Sequence, residues 1–193
     1  MANSSEKRKL FCLDESMFLY IPIIIITLIL CLVFRVANIS GDSMNPTFHD
    51  GDKTIIVGLF YTPERGDVIV FNGEKEVGYN SDFIVKRIIA LEGDTVKIED
   101  GILYVKEAGS DEFFIVNYVD DTAIPYYDMN EITVPEGEMF VMGDNLINSL
   151  DSRDPKVGTI DTDAITGKVI LRFYSSEDRS LVFDTNFTNN DEK

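Results

Sequence analysis

Histidine is almost missing from this chain: His49 is the single one among 193 residues. A Ser-His-Asp triad would have to use it, six residues from Ser43 in a loop rich in Pro, Asp and Gly. A zinc site with two or more His ligands is excluded outright. His49 therefore reads as an exposed loop histidine. Cysteine is nearly as scarce. Cys12 lies just before the chain's one long apolar run and Cys31 inside it, so neither staples the rest, which has no disulfide framework. Cys31 reads as a buried or lipid-facing thiol, and Cys12 as a juxtamembrane cysteine open to acylation. Positive charge is short too: 17 Lys and Arg face 34 Asp and Glu. Beyond Arg35 there are 13 basic and 31 acidic residues, a net of −18. So acidic a domain repels phosphate backbones, which argues against nucleic acid as a partner, and it keeps the domain soluble. The oxygen-rich run Asp144-Asn145…Asn148…Asp151…Asp154 lacks the Gly and Glu spacing of an EF-hand and reads as a hydrogen-bonded turn. No metal is expected. Internal repeats and low-complexity tracts are also missing.

What is present begins with Met17 to Phe34, eighteen residues without a charge. As a helix they would reach about 27 Å, enough for a hydrocarbon core. Pro22 falls in the first turns, where a missing amide costs little. A cleavable leader would have a shorter core and a small-x-small exit, whereas this run leaves through Arg35-Val36-Ala37-Asn38. The reading is an uncleaved anchor over 17–34. Lys7, Arg8 and Lys9 precede it, so 1–16 is expected in the cytoplasm and the acidic domain, 36–175, on the far side.

From Ser40 onward, short β-branched and aromatic runs alternate with Gly-Asp punctuation. The predicted strands are Thr54–Phe60, Asp67–Phe71, Phe83–Leu91, Thr95–Glu99, Ile102–Lys106, Phe113–Val119, Met139–Gly143 and Lys168–Tyr174. Asp100-Gly101 signals a hairpin. No sustained 3.6-residue period appears, so the domain is expected to be all-β and mostly antiparallel. Residues 107–131 read as an acidic inserted hairpin or loop, and 176–193 as a polar tail.

Lys86 stands out. A strand period of two places it on one face with Ile84, Ile88 and Ala90, while Arg87 shares the other with Phe83, Val85 and Ile89. An amine held among apolar side chains loses water, which penalises its charged form. A fall from about 10.4 to about 7–8 would make it a general base near neutrality. The plainer alternative is a lysine that snorkels to the strand edge. A matching nucleophile is available in Ser40-Gly41-Asp42-Ser43-Met44-Asn45-Pro46-Thr47, a Gly- and Pro-containing loop in which the backbone N–H of Ser43 offers an oxyanion donor. Ser43 follows the apolar run by only nine residues.

Taken together these segments resemble the bacterial signal peptidase I family. Gly41–Thr47 looks like its nucleophile box, Arg65–Phe71 like its substrate-side strand and Val85–Asp94 like its lysine box. Gly143–Arg153 looks like its last box. The resemblance covers roughly 17–175 and implies a signal-peptidase-like β-fold and a membrane-bound serine endopeptidase without a cofactor. Ser43 would be the nucleophile and Lys86 the general base. Ser149 would hydrogen-bond the lysine amine, Asp151 and Arg153 would form a supporting ion pair, and Asp144 would brace the same corner. Met44, Ile84 and Val85 would line pockets for small substrate residues, giving cleavage after Ala-x-Ala endings. The implied partners are exported preproteins, the lipid bilayer and a nearby secretion translocon. Ala90 and Glu92 depart from the family's usual Gly and Pro, and Leu146 from its basic residue; Gly41 replaces a serine that donates to the oxyanion in some relatives. Lys86 groups the chain with the bacterial branch, since the endoplasmic-reticulum branch carries His there. Two other readings are a LexA-like self-cleaving Ser-Lys protease, for which no DNA-binding module is present, and a silent membrane-tethered β-module, which would have no need of Ser43, Lys86 and Ser149 together.

Overall fold

The computed structural model describes residues 15–75, 83–116, 128–174 and 182–183. Cys12, the basic cluster at 7–9, residues 117–127 of the 107–131 insert and nearly all of the 176–193 tail lie outside the described residues. The chain divides into two compact units, Met1–Phe34 and Arg35–Lys193.

The first unit contains one helix, α1 (Glu15–Val33), with Pro22 inside it. Ile23, Ile24, Ile25 and Ile26 are all exposed, so the helix has no buried stripe. The hydroxyl of Thr27 donates to the Ile23 carbonyl at 2.9 Å, so this donor is satisfied within the helix. Cys31 is free and exposed. Among the described residues no helix is long and apolar enough to cross a membrane. The structure thus bears out a helix over the expected span and not the crossing. Phe34, expected to end the span, opens a strand instead.

The second unit is β-structure, as expected. Its larger sheet runs in the order β1 (Phe34–Asn38), β2 (Lys53–Val57), β11 (Ile165–Tyr174), β3 (Val68–Asn72), β4 (Phe83–Leu91), β9 (Glu138–Met142), β10 (Ile160–Asp161), with β12 (Val182–Phe183) also paired to β11. The smaller sheet runs β7 (Phe114–Ile115), β6 (Ile102–Lys106), β5 (Thr95–Glu99), β8 (Met129–Thr133). The β2–β11, β3–β11, β3–β4, β4–β9 and β5–β6 pairs are antiparallel. Asp100 and Gly101 join β5 to β6 with φ of 51° and 72°, the double left-handed turn that matches the twist of the strands it connects.

Two expected strands are shorter than predicted, and the one expected at Lys168–Tyr174 is longer, starting at Ile165. β2 stops at Val57; at the next position only glycine fits, since a side chain on Gly58 would strike the Thr166 carbonyl. Beyond it Phe60, 95% exposed, takes a φ of 58°. Of the stretch expected at 113–119, only Phe114–Ile115 is a strand, and 117–119 lie outside the described residues.

β4 carries the site, and its sequence explains its place. Flanked by β3 and β9, it is buried on both faces from Lys86 to Ala90. Ile69, Phe71 and Ile88 pack with Met139, Val141 and Ile160 in one core. Val68 and Val70 pack with Ile39, Met44, Phe48, Ile56 and Val169 in a second. Ile89 and Ala90 share a third with Val96, Val105, Phe140 and Met142. Each such buried side chain contributes about 1.5–3 kcal/mol of apolar transfer. Ala90 was expected on the face of Lys86. A register shift between Ile88 and Ala90 against β9 breaks the alternation and turns Ala90 into the core of Ile89.

Candidate active site

Lys86 lies in mid-strand, opposite Ile69 on β3 and between Ile84 and Ile88 two residues to either side. Ile69 and Ile88 are fully buried, and Lys86 itself is 3% exposed. Its amine does not snorkel out. Nζ lies 2.7 Å from Ser43 Oγ. Burial drives the lysine down to about 8; the negative charges of Asp151 and Asp144 pull it upward, and Arg153 pushes it further down. Desolvation outweighs the carboxylates.

Ser43 comes from the loop between β1 and β2. This loop is tied down at several points. Met44 and Phe48 are buried in the core below it. The Gly41 N–H donates to Asp50 Oδ1 at 2.8 Å, and the His49 N–H to Asp52 Oδ2 at 3.0 Å. Arg172 on β11 reaches Asp52 at 3.2 Å and the Thr47 carbonyl at 3.1 Å. His49, expected to be exposed, is half-buried in this loop. With the Gly41 N–H engaged by Asp50, the second oxyanion donor is not found at that position.

The segment after β9 supplies the far wall. Gly143 is needed for space: a Cβ there would collide with Ser149 Oγ and the Ser43 carbonyl, and would come within 2.6 Å of Ser149 Cβ. The Gly143 N–H donates to Asp151 Oδ2 at 3.0 Å. Asp151 also receives Arg153 through Nε at 2.8 Å and Nη2 at 2.9 Å, while Arg153 Nη1 holds the Leu146 carbonyl at 2.9 Å. Asp144, expected to brace this same corner, pairs with Arg87, at 2.8 Å from Nε and 2.5 Å from Nη2. Both partners are almost fully buried, and Arg87 Nη1 satisfies the Gly66 carbonyl at 2.8 Å. Arg87 was not singled out in the sequence. Its place beside Lys86 and the five N–H donors of a guanidinium were the available signals.

Ser149 does not make the hydrogen bond to Lys86 that the resemblance implied. Its Oγ is buried and has no hydrogen-bond partner among the described residues. It lies instead against the bare Cα of Gly143.

A groove of about 570 Å³ ends at the dyad. Met44, Ile84 and Val85 line it together with Ser43 and Lys86. Ile39, Ile56, Val70, Phe83 and Thr166 line it too, and the sequence reading did not name them. They come from five separate strands or loops, so no single segment carries the pattern. β9 pairs with β4 from Arg87 onward, whereas β3 pairs with it from Phe83 to Arg87. Phe83 to Lys86 therefore keep one edge unpaired by β9. A strand edge beside an apolar groove suits an extended peptide. Among the described residues no group of three His, Cys, Asp or Glu could hold a metal ion.

The arrangement can accept a peptide in extended form and attack one of its carbonyls with a hydroxyl whose proton passes to a buried amine. Comparison with known proteins points the same way. The family model described as "Signal peptidase, peptidase S26" matches residues 13–174. The signal peptidase I of Bacillus licheniformis is 36% identical over 83% of this chain and 90% of its own length. A probable signal peptidase I-1 of Synechocystis sp. is 35% identical over 80% of this chain and 81% of its own. Thylakoidal processing peptidase 1 of Arabidopsis thaliana is 33% identical over 71% of this chain and 41% of its own. Family-model coverage and relatives of this identity, met by a serine and a desolvated lysine in hydrogen-bond contact, make the chain a member of the signal peptidase family, peptidase S26.

Proposed function

We propose that the protein is a membrane-attached signal peptidase I, a serine endopeptidase that removes signal peptides from exported preproteins. The observation that carries the reading is the 2.7 Å contact between Ser43 Oγ and a lysine amine brought down to about 8 at the end of an apolar groove. Neutral Lys86 takes the hydroxyl proton of Ser43 as its oxygen attacks the scissile carbonyl. The oxyanion is met by the Ser43 N–H. The ammonium of Lys86 then gives its proton to the departing amine, leaving an acyl-enzyme on Ser43. Neutral again, Lys86 draws a proton from water as the water oxygen attacks the acyl carbon. It returns that proton to Ser43 Oγ as the acyl–oxygen bond breaks and the carboxylic product leaves.

The substrate enters extended along the open edge of β4, with Met44, Ile84 and Val85 bounding pockets that admit small residues and reject large ones, which selects Ala-x-Ala endings. The Asp151–Arg153 pair fixes the loop that faces the dyad, and Asp144 fixes the strand through Arg87. Ser149 acts here by packing against Gly143 rather than by holding the amine.

Residues 17–34 serve as the anchor, 1–16 lie in the cytoplasm, and 36–175 form the catalytic domain on the extracytoplasmic side, near the translocon. The support is an α1 exposed and apolar on every side, which has no stable place in water, and the preceding Lys7, Arg8 and Lys9. The test uses Ser43→Ala and Lys86→Ala in the detergent-solubilised chain with a preprotein substrate. Both should abolish cleavage with the circular-dichroism spectrum unchanged. Processing retained by folded Lys86→Ala removes the dyad from the mechanism.

A further inference from the structure

The nucleophile loop is held from the segment after β9 by one residue that none of the roles above uses. Asn145 donates its side-chain Nδ2 to the Asp42 carbonyl at 3.0 Å and its backbone N–H to the Ser43 carbonyl at 3.0 Å. The side-chain oxygen of Asn145 accepts the Asn148 N–H at 3.1 Å. The amide can face only one way, because its nitrogen meets a carbonyl and its oxygen meets an N–H.

The consequence follows from peptide geometry. The Asp42 carbonyl and the Ser43 N–H belong to the same trans peptide, so they point in opposite directions in one plane. Whatever holds the Asp42 oxygen aims the Ser43 hydrogen. That N–H donates to no protein acceptor among the described residues. The second bond fixes the following plane, between Ser43 and Met44. Both planes flanking the nucleophile are thus pinned by Asn145. The Asp42 oxygen also accepts the Asn45 N–H at 3.2 Å, but that bond lies within the loop and moves with it.

We infer that Asn145 is a positioning residue for the oxyanion donor: its amide holds the Asp42–Ser43 peptide plane so that the Ser43 N–H faces the attacked carbonyl before substrate arrives. This rests on the dyad reading of the site. A donor aligned in advance acts chiefly in the transition state, so its misalignment lowers kcat and leaves substrate binding alone.

The test compares Asn145→Ala and Asn145→Asp in the full-length detergent-solubilised chain with a preprotein substrate. Rates are normalised to folded protein by near-ultraviolet circular dichroism. The aspartate keeps the acceptor for Asn148, loses the donor to Asp42 and adds a negative charge, so it separates the peptide clamp from the turn while the acid limb is read in Asn145→Ala. On the alkaline plateau both variants should lose about 10- to 100-fold in kcat, below the 10²–10³ of deleting such a donor outright. KM should stay within about twofold in both. In Asn145→Ala the acid limb of the kcat profile should keep its midpoint, since the lysine has not moved. A kcat within about twofold of the parent in either folded variant, a loss appearing in KM, or a displaced limb in Asn145→Ala overturns the inference. Ser43→Ala separates the two levels. If it still cleaves, the dyad reading fails; if it is inactive while the Asn145 variants keep their kcat, only the role of Asn145 fails.

Discussion

The clearest consequence of a buried lysine base is that activity and stability should report the same proton. Lys86 is brought from 10.5 to about 8 chiefly by burial. At pH 7 this leaves about 9% of the sites with a neutral amine, against about 0.03% for an ordinary lysine, a gain of about 300-fold. Initial rates on a preprotein between pH 6 and 10 should therefore rise about tenfold per unit below pH 8 and level off above it. The stability side has the opposite emphasis. The folded pKa lies below the unfolded one, so between about 8 and 10.5 the unfolded chain binds the extra proton, and stability from this group rises with pH through that window. Below pH 8 the folded protein carries the full penalty of a desolvated ammonium. A folded Lys86→Met variant lacks this dependence. Its stability relative to the parent should thus be greater at pH 7 than at pH 10.5 by roughly 3 kcal/mol, from about 2.5 units at 1.36 kcal/mol each. Urea titrations of both proteins at the two pH values in the same detergent give this difference, in which the other titrating groups cancel. A rate limb centred near 10, or a stability difference that is flat with pH, would refute the claim that burial sets this amine.

Two further perturbations follow from the walls of the site. Arg87→Met strands Asp144 in a dry interior and should cost about 3–5 kcal/mol in urea titration, with much of it recovered when Asp144→Leu is added; additive losses would mean the pair is not coupled. Gly143→Ala places a Cβ into Ser149 and the Ser43 carbonyl, and a displacement of about 1 Å at the nucleophile should lower kcat about 100-fold, measured on folded protein; an alanine variant with parental kcat would show that the loop yields without moving Ser43.

Where local chemistry decides the conformation, the sequence was readable. β4, β5 and β6 coincide with the runs Phe83–Leu91, Thr95–Glu99 and Ile102–Lys106, whose β-branched residues alternate or bury outright, and Asp100-Gly101 supplies a turn that few other pairs could. β1 was hidden because Phe34 continues the apolar run of α1 without a break in hydropathy. β8, Met-Asn-Glu-Ile-Thr, is mostly exposed and becomes a strand only because β5 offers an edge. β10 and β12 are two residues each and owe their form to β9 and β11. At the site, Ser43 and Lys86 could be named by residue type and surroundings, but their contact spans 43 positions and is purely tertiary. The shift at Ile88 and Ala90 had no signature in composition, which is why Ala90 was placed on the wrong face. The partner of Asp144 was likewise beyond reach, since a buried carboxylate pairs with whichever guanidinium the strands bring nearest.

The bonds that frame the nucleophile span long stretches of chain: 103 positions from Asp42 to Asn145 and 125 from Thr47 to Arg172. A growing polypeptide acquires its hydroxyl and its amine early, and the parts that hold them in register late. Proteolytic competence is thereby deferred until Asn145 and Arg172 have been made, and a copy that stops short of them carries the reagents of an enzyme without its mould.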